Sequence, residues 1–208
     1  MNPLRAACRG LVALVLVLAA PPALADDRVI VAFGDSLTAG LGVARDEAYP
    51  ALLEARLRRA GFAYRMVNAG VSGDTTAGGR RRLDWVLRSR PEIVIVALGA
   101  NDGLRGQPVV ALRDNLTAIV TRLRKSGTHV LLVGMRLPPN YGEAYASDFA
   151  EAFRAVAGGT SVAFLPFLLA GVAGDPSLNQ ADGIHPNAAG HRIVAEHVWP
   201  SLQPLLRR

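Results

Sequence analysis

The chain has 208 residues, a formal charge of +6, half of its residues hydrophobic, one cysteine and few aromatics. That length and apolar content suit a single domain around one sizeable core. The arginines are scattered (Arg56, Arg58, Arg59, then Arg80, Arg81, Arg82), with too few aromatic side chains among them to stack bases, which argues against nucleic-acid binding. A lone cysteine leaves no intrachain disulfide and no thiolate metal site.

The first 25 residues read as an export signal. Arg5 and Arg9 form a positive leader, Leu11 to Ala20 is an unbroken apolar run, and Ala23-Leu24-Ala25 offers small residues for cleavage before Asp26-Asp27. A membrane anchor is the competing reading. A run of this length falls short of roughly 30 Å of hydrocarbon, and Cys8 precedes the run, where it cannot serve as a lipidated cleavage residue. The expectation is therefore cleavage near Ala25, a single domain over residues 26–208, periplasmic or secreted residence, and no stable membrane anchor.

From there, short apolar runs alternate with longer amphipathic ones, the pattern of a parallel α/β sheet. Arg28 to Phe33 reads as a buried strand, followed by a helix over 47–60 that Gly61 ends. Tyr64 to Asn68 is a weaker second strand, and a helix is expected over 76–89. Pro91 precedes the third strand, Glu92 to Leu98. The next helix, over 107–126, carries an apolar stripe of Val109, Leu112, Leu116, Ile119, Val120 and Leu123 and stops at Gly127. Thr128 to Gly134 is the fourth strand, rich in β-branched residues. A helix over 144–157, a short fifth strand from Ser161 to Leu165 and a final helix over 187–203 complete a three-layer α/β/α domain.

Ligands of an open parallel sheet bind beyond the carboxyl ends of its strands. The residues found there are Gly34-Asp35-Ser36-Leu37, Ser72-Gly73-Asp74, Gly99-Ala100-Asn101-Asp102 and, after the fifth strand, Asp182-Gly183-Ile184-His185-Pro186. Acyl transfer through a hydroxyl requires a nucleophile, a base, a group that orients the base, and donors for the oxyanion. Ser36, just past a strand and at the start of a helix, is the candidate nucleophile. His185 is the candidate base and Asp182, three residues earlier, its orienting acid. Ser36 N–H, Gly73 N–H and the Asn101 amide are the candidate oxyanion donors, and glycine at 73 admits close approach.

Taken together, the four blocks resemble those of the GDSL, or SGNH, hydrolases. They occur in that family's order and cover most of residues 29–190. The likeness is greatest to the bacterial periplasmic multifunctional esterases described as thioesterase, arylesterase and lysophospholipase; Leu137-Pro138-Pro139-Asn140-Tyr141-Gly142 and Leu165-Pro166-Phe167 of this chain also resemble segments of that subgroup. The resemblance implies a five-stranded flavodoxin-like sheet, a Ser36–His185–Asp182 triad, an oxyanion hole from Ser36, Gly73 and Asn101, and no cofactor. Ala100 stands where many members carry a second glycine.

Each signal also has a plainer reading. Asp-Ser pairs start many helices as caps, and Asp182-x-x-His185 before Pro186 is also a capped turn. Of the other histidines, His129 begins a strand, while His191 and His197 are expected in surface or helix-end roles. Asp35, Asp74 and Asp102 are expected to cap or support the site, without a metal. Met135 to Tyr145 offers Leu137, Pro138, Pro139 and Tyr141 as an apolar wall, which favours a lipophilic acyl group over a sugar-bound acetyl group. The expected partner is a small acyl ester or thioester, and the expected state is a monomer. The alternatives are a carbohydrate O-deacetylase of the same fold and a non-catalytic flavodoxin-like binding module. No Gly-x-Ser-x-Gly elbow, complete dinucleotide fingerprint or P-loop lysine is present.

Overall fold

The computed structural model describes residues 28–208; the export signal expected over residues 1–25 lies outside them. Five strands, β1 (Arg28–Gly34), β2 (Tyr64–Gly70), β3 (Ile93–Ala97), β4 (His129–Val133) and β5 (Ala163–Leu165), form one sheet in the order β2-β1-β3-β4-β5. Every pairing is parallel, and the register sets Gly34 beside both Gly70 and Ala97. The carboxyl ends of β2, β1 and β3 are therefore level. Neighbouring β2 and β3 flank β1, so the chain's crossover connections diverge there and open a crevice.

Helices α1 (Ser36–Ala39), α2 (Tyr49–Arg59), α3 (Thr76–Leu87), α4 (Ala100–Leu104), α5 (Val109–Lys125), α6 (Glu143–Thr160) and α7 (Ala188–Leu202) make up the rest. The pleat sends alternate strand residues to opposite faces. Ile30, Ile93, Ile95, Leu131 and Val133 join Leu53 and Leu57 of α2 and Val194, Val198 and Leu202 of α7. Val31, Phe33, Val94, Val96 and Leu132 join Leu83 of α3, Leu116 and Ile119 of α5, and Phe149 and Phe153 of α6. Two cores on one sheet make the expected three-layer α/β/α architecture. Each fully buried large side chain contributes about 1.5–3 kcal/mol of hydrophobic stabilisation, so the sheet is a stiff platform for its loops.

Local signals explain most boundaries. Thr75 caps α3 by accepting from Gly78 N–H, Asn187 caps α7 by accepting from the Ala189 and Gly190 N–H groups, and Pro50 opens α2. The helix expected over 144–157 runs on to Thr160, where Ser161 closes it in the left-handed conformation (φ 51°). That cap leaves only Ala163–Leu165 for a fifth strand expected from Ser161. The seat of α1 is closely packed: a Cβ on Gly70 would overlap the Ala39 backbone, and one on Gly34 the Thr38 side chain.

Candidate active site

Ser36 occupies the first position of α1, and its placement follows from three neighbours. Asp35 is the N-cap, its Oδ1 accepting from Leu37 N–H at 3.1 Å. Thr38 shares a hydrogen bond with the buried Tyr49 hydroxyl (2.9 Å), fixing the back of the short helix. Gly40, in the left-handed region at φ 78°, closes it by donating to Ser36 C=O. Ser36 is thereby held just past the end of β1, where it borders a cavity.

The base arrives from the far end of the chain on a pinned loop. Gln180 N–H donates to His185 C=O at 2.8 Å, and Asn179 and Pro186 form an isolated antiparallel bridge. The Gln180 amide then donates to Leu41 C=O (2.7 Å) and Pro186 C=O (2.9 Å), tying this loop to the one that follows Ser36. The result is a relay. Ser36 Oγ lies 2.9 Å from His185 Nε2, and His185 Nδ1 lies 2.7 Å from Asp182 Oδ2. Asp182 Oδ1 accepts from the N–H groups of Ile184 and His185, both at 3.0 Å.

These contacts set the charges. The Ile184 N–H, followed by the His185 ring and the His185 N–H, holds the Asp182 carboxyl down at about 2, so it is an anion across the working range. Burial pushes Asp35 up to about 6, against the opposing pull of Leu37 N–H and the charge of His185.

Gly73 and Asn101 border the same cavity as Ser36 and His185. Gly73 stands at φ 79°, a backbone region that favours glycine, and its C=O accepts from Arg105 at 3.0 Å. Asn101 is in the first turn of α4. Its amide donates to Asp74 C=O at 3.0 Å and is 3.4 Å from Asp35 Oδ2. The second contact is long, which leaves that N–H free to turn to a stronger acceptor. Asp102 is buried and accepts from Thr76 N–H (2.8 Å) and the Thr76 hydroxyl (2.5 Å), fastening α4 to the start of α3.

The cavity measures about 630 Å³, within the range of small-molecule sites. Leu137 and Pro138 border it, as does Pro139. Tyr141 does not: its hydroxyl donates to the C=O of the wall residue Leu104 at 3.0 Å. The other large apolar residues of the wall, Leu37, Leu41, Leu104, Met135, Phe167, Leu169 and Ile184, were not singled out as such from sequence, although most follow a strand end or flank a site block; Arg136 also borders the cavity. His191 also departs from expectation. It is buried on α7, stacks on Tyr49 and accepts from Tyr49 N–H through Nδ1 at 3.3 Å, because its helix turns that face to the sheet. His197 reaches Phe167 C=O through Nε2 at 2.9 Å.

A parallel sheet with a Ser–His–Asp relay at its strand ends, and with Gly73 and Asn101 beside the same cavity, has the build of an acyl-transferring hydrolase. Residues 32–193 match the GDSL-like lipase/acylhydrolase family. The chain is 45% identical to the esterase TesA of Pseudomonas aeruginosa over 93% of its own length and 96% of that protein's. It is 37% identical to the thioesterase 1/protease 1/lysophospholipase L1 of Escherichia coli K12, covering 93% and 91% of the two. The crystal structure of a TesA superposes with a TM-score of 0.84 at 44% identity, over 86% of this chain and all of that one. The chain belongs to the GDSL-like lipase/acylhydrolase family, and it is a carboxylic ester hydrolase.

Proposed function

We propose that Ser36, His185 and Asp182 carry out a two-step acyl transfer on lipophilic carboxylic esters, with acyl thioesters and lysophospholipids as further substrates. His185 Nε2 takes the Ser36 proton as Oγ attacks the carbonyl, while the anionic Asp182 holds the ring and stabilises the imidazolium. The oxyanion is received by Ser36 N–H, Gly73 N–H and the Asn101 amide, which turns from Asp35. His185 then protonates the leaving group, and water enters with His185 again as base. The observation that carries this reading is the unbroken 2.9 Å and 2.7 Å relay ending at a cavity. The cavity's largely aliphatic wall supports a lipophilic acyl chain over a polar sugar ester. The mature chain, cleaved near Ala25, would act as a monomer in the periplasm or outside the cell, without cofactor or metal.

A fluorophosphonate probe followed by peptide mass mapping tests the assignment. Label on Ser36 that is lost in His185→Ala is the expected result. A folded protein that stays unlabelled, or is labelled at another serine, overturns it.

A further inference from the structure

We propose that Arg82 is a positioning residue for the reaction: one guanidinium holds the segments that carry the nucleophile and the oxyanion donors in register. The inference rests on the assignment of Ser36 as nucleophile and deepens it. Arg82 lies on α3, in a run of three arginines of which Arg80 and Arg81 are exposed. It points back over the sheet, its guanidinium carbon 4.4 Å from the centre of the Phe33 ring.

Three of its nitrogens meet three acceptors from three different segments. Nη2 donates to Gly34 C=O at 2.8 Å, two residues before Ser36. Nη1 donates to Ala69 C=O at 2.7 Å, at the end of β2 and four residues before Gly73. Nε donates to Asp74 Oδ2 at 2.7 Å, immediately after Gly73. The chain of contacts continues, because Asp74 C=O accepts from the Asn101 amide at 3.0 Å. One side chain thus connects all three sources of oxyanion donors. Arg82 and Asp74 side chains are only 20% and 11% exposed, so water screens this arrangement weakly.

The chemistry requires arginine. A planar fork delivers three donors in fixed directions, whereas the lysine ammonium is a flexible point charge that reaches one or two of these acceptors. Losing the fork lets Ser36, Gly73 and Asn101 settle at slightly different separations. Misplacement of a catalytic group by about 1 Å is enough to cost on the order of 10²-fold in rate.

The test compares wild type, Arg82→Lys, Arg82→Ala and the neighbouring control Arg81→Lys on a soluble short-chain nitrophenyl ester, each below its melting temperature. Binding of a trifluoromethyl ketone, which forms a tetrahedral adduct, is measured beside binding of the product carboxylic acid. Arg82→Lys is expected to lower kcat by about 10–100-fold with KM within about twofold. Its affinity for the ketone should fall in step with kcat while that for the acid holds, and methylguanidinium should restore part of the Arg82→Ala activity. The proposal is overturned by kcat within about threefold of wild type in folded Arg82→Lys, by equal losses of ketone and acid binding, or by a loss that merely tracks the unfolded fraction. Arg82→Ala that does not fold leaves the decision to Arg82→Lys. Failure of the wild type to take the fluorophosphonate on Ser36 is a separate result and strikes the nucleophile assignment instead.

Discussion

Asp182 accepts from two backbone N–H groups and from the His185 ring, and these contacts hold its carboxyl down at about 2. Its role at neutral pH is therefore that of a fixed anion, and the acid limb of the activity profile is not the titration of this group. Its contribution to stability has the same sign: present above the usual aspartate value and lost as pH falls towards 2. The side chain is nearly half exposed, so the stability effect is small while the catalytic one is large. Asp182→Asn keeps the backbone contacts within reach of the amide oxygen and removes the charge facing the imidazolium. The expected outcome is a fall in kcat of about 10³–10⁴-fold with little change in melting temperature, read from steady-state kinetics beside a thermal melt. An Asn variant within about tenfold of wild type would deny Asp182 this role.

At the scale of elements, the position of the nucleophile depends on how α1 sits across the ends of β1 and β2. Gly70 contacts the α1 backbone so closely that a methyl group there must push the helix, and Ser36 with it, off its seat. Gly70→Ala should destabilise by about 1–3 kcal/mol and lower kcat together with it. Gly158→Ala is the matched control: it lies within α6, its Cβ would meet open space, and it should stabilise by about 0.5–1 kcal/mol with activity unchanged. Denaturant midpoints and turnover of both variants decide the point; equal behaviour would remove α1 seating from the account.

The same scale separates what the sequence makes legible from what it hides. Buried parallel strands read as continuous apolar runs, and α5 as a stripe of Leu112, Leu116, Ile119 and Leu123, because burial alone imposes those patterns. Helices α1 and α4 span four and five residues, too few for any period. The four site blocks were visible because glycine and polar residues punctuate strand ends. Arg82 was hidden in an arginine run of which only the third member turns to the sheet edge. Tyr141 and His191 were misjudged for a related reason: whether a side chain faces a cavity, a carbonyl or a core is set by what packs against it from distant sequence.

For the molecule as a whole, two buried groups, Asp35 and His191, pull stability in opposite directions with pH. Burial raises Asp35 to about 6, so the folded state binds that proton more tightly than the unfolded chain. Its contribution is full below about 4 and is lost as pH rises to about 6. Burial lowers His191 to about 4, with Glu47 opposing and the charge of His185 assisting. The unfolded chain binds that proton more tightly, so stability is lost as pH falls from about 6.5 to about 4. Each shift is worth about 3 kcal/mol, and over the shared window the two nearly cancel. Removing one should expose the other. Asp35→Asn should gain stability steeply from pH 4.5 to 6 relative to wild type, and should be the more stable protein at pH 7, where wild type must bury the charge. His191→Asn, which retains an acceptor for Tyr49 N–H, should instead lose stability over the same interval. Denaturant unfolding at several pH values measures both slopes, and parallel curves for wild type and either variant would show that the buried group in question does not titrate there. If both slopes appear, Asp35 is a charge kept beside Ser36 and Asn101 at a cost to the fold, and Asp35→Asn should exchange activity for stability.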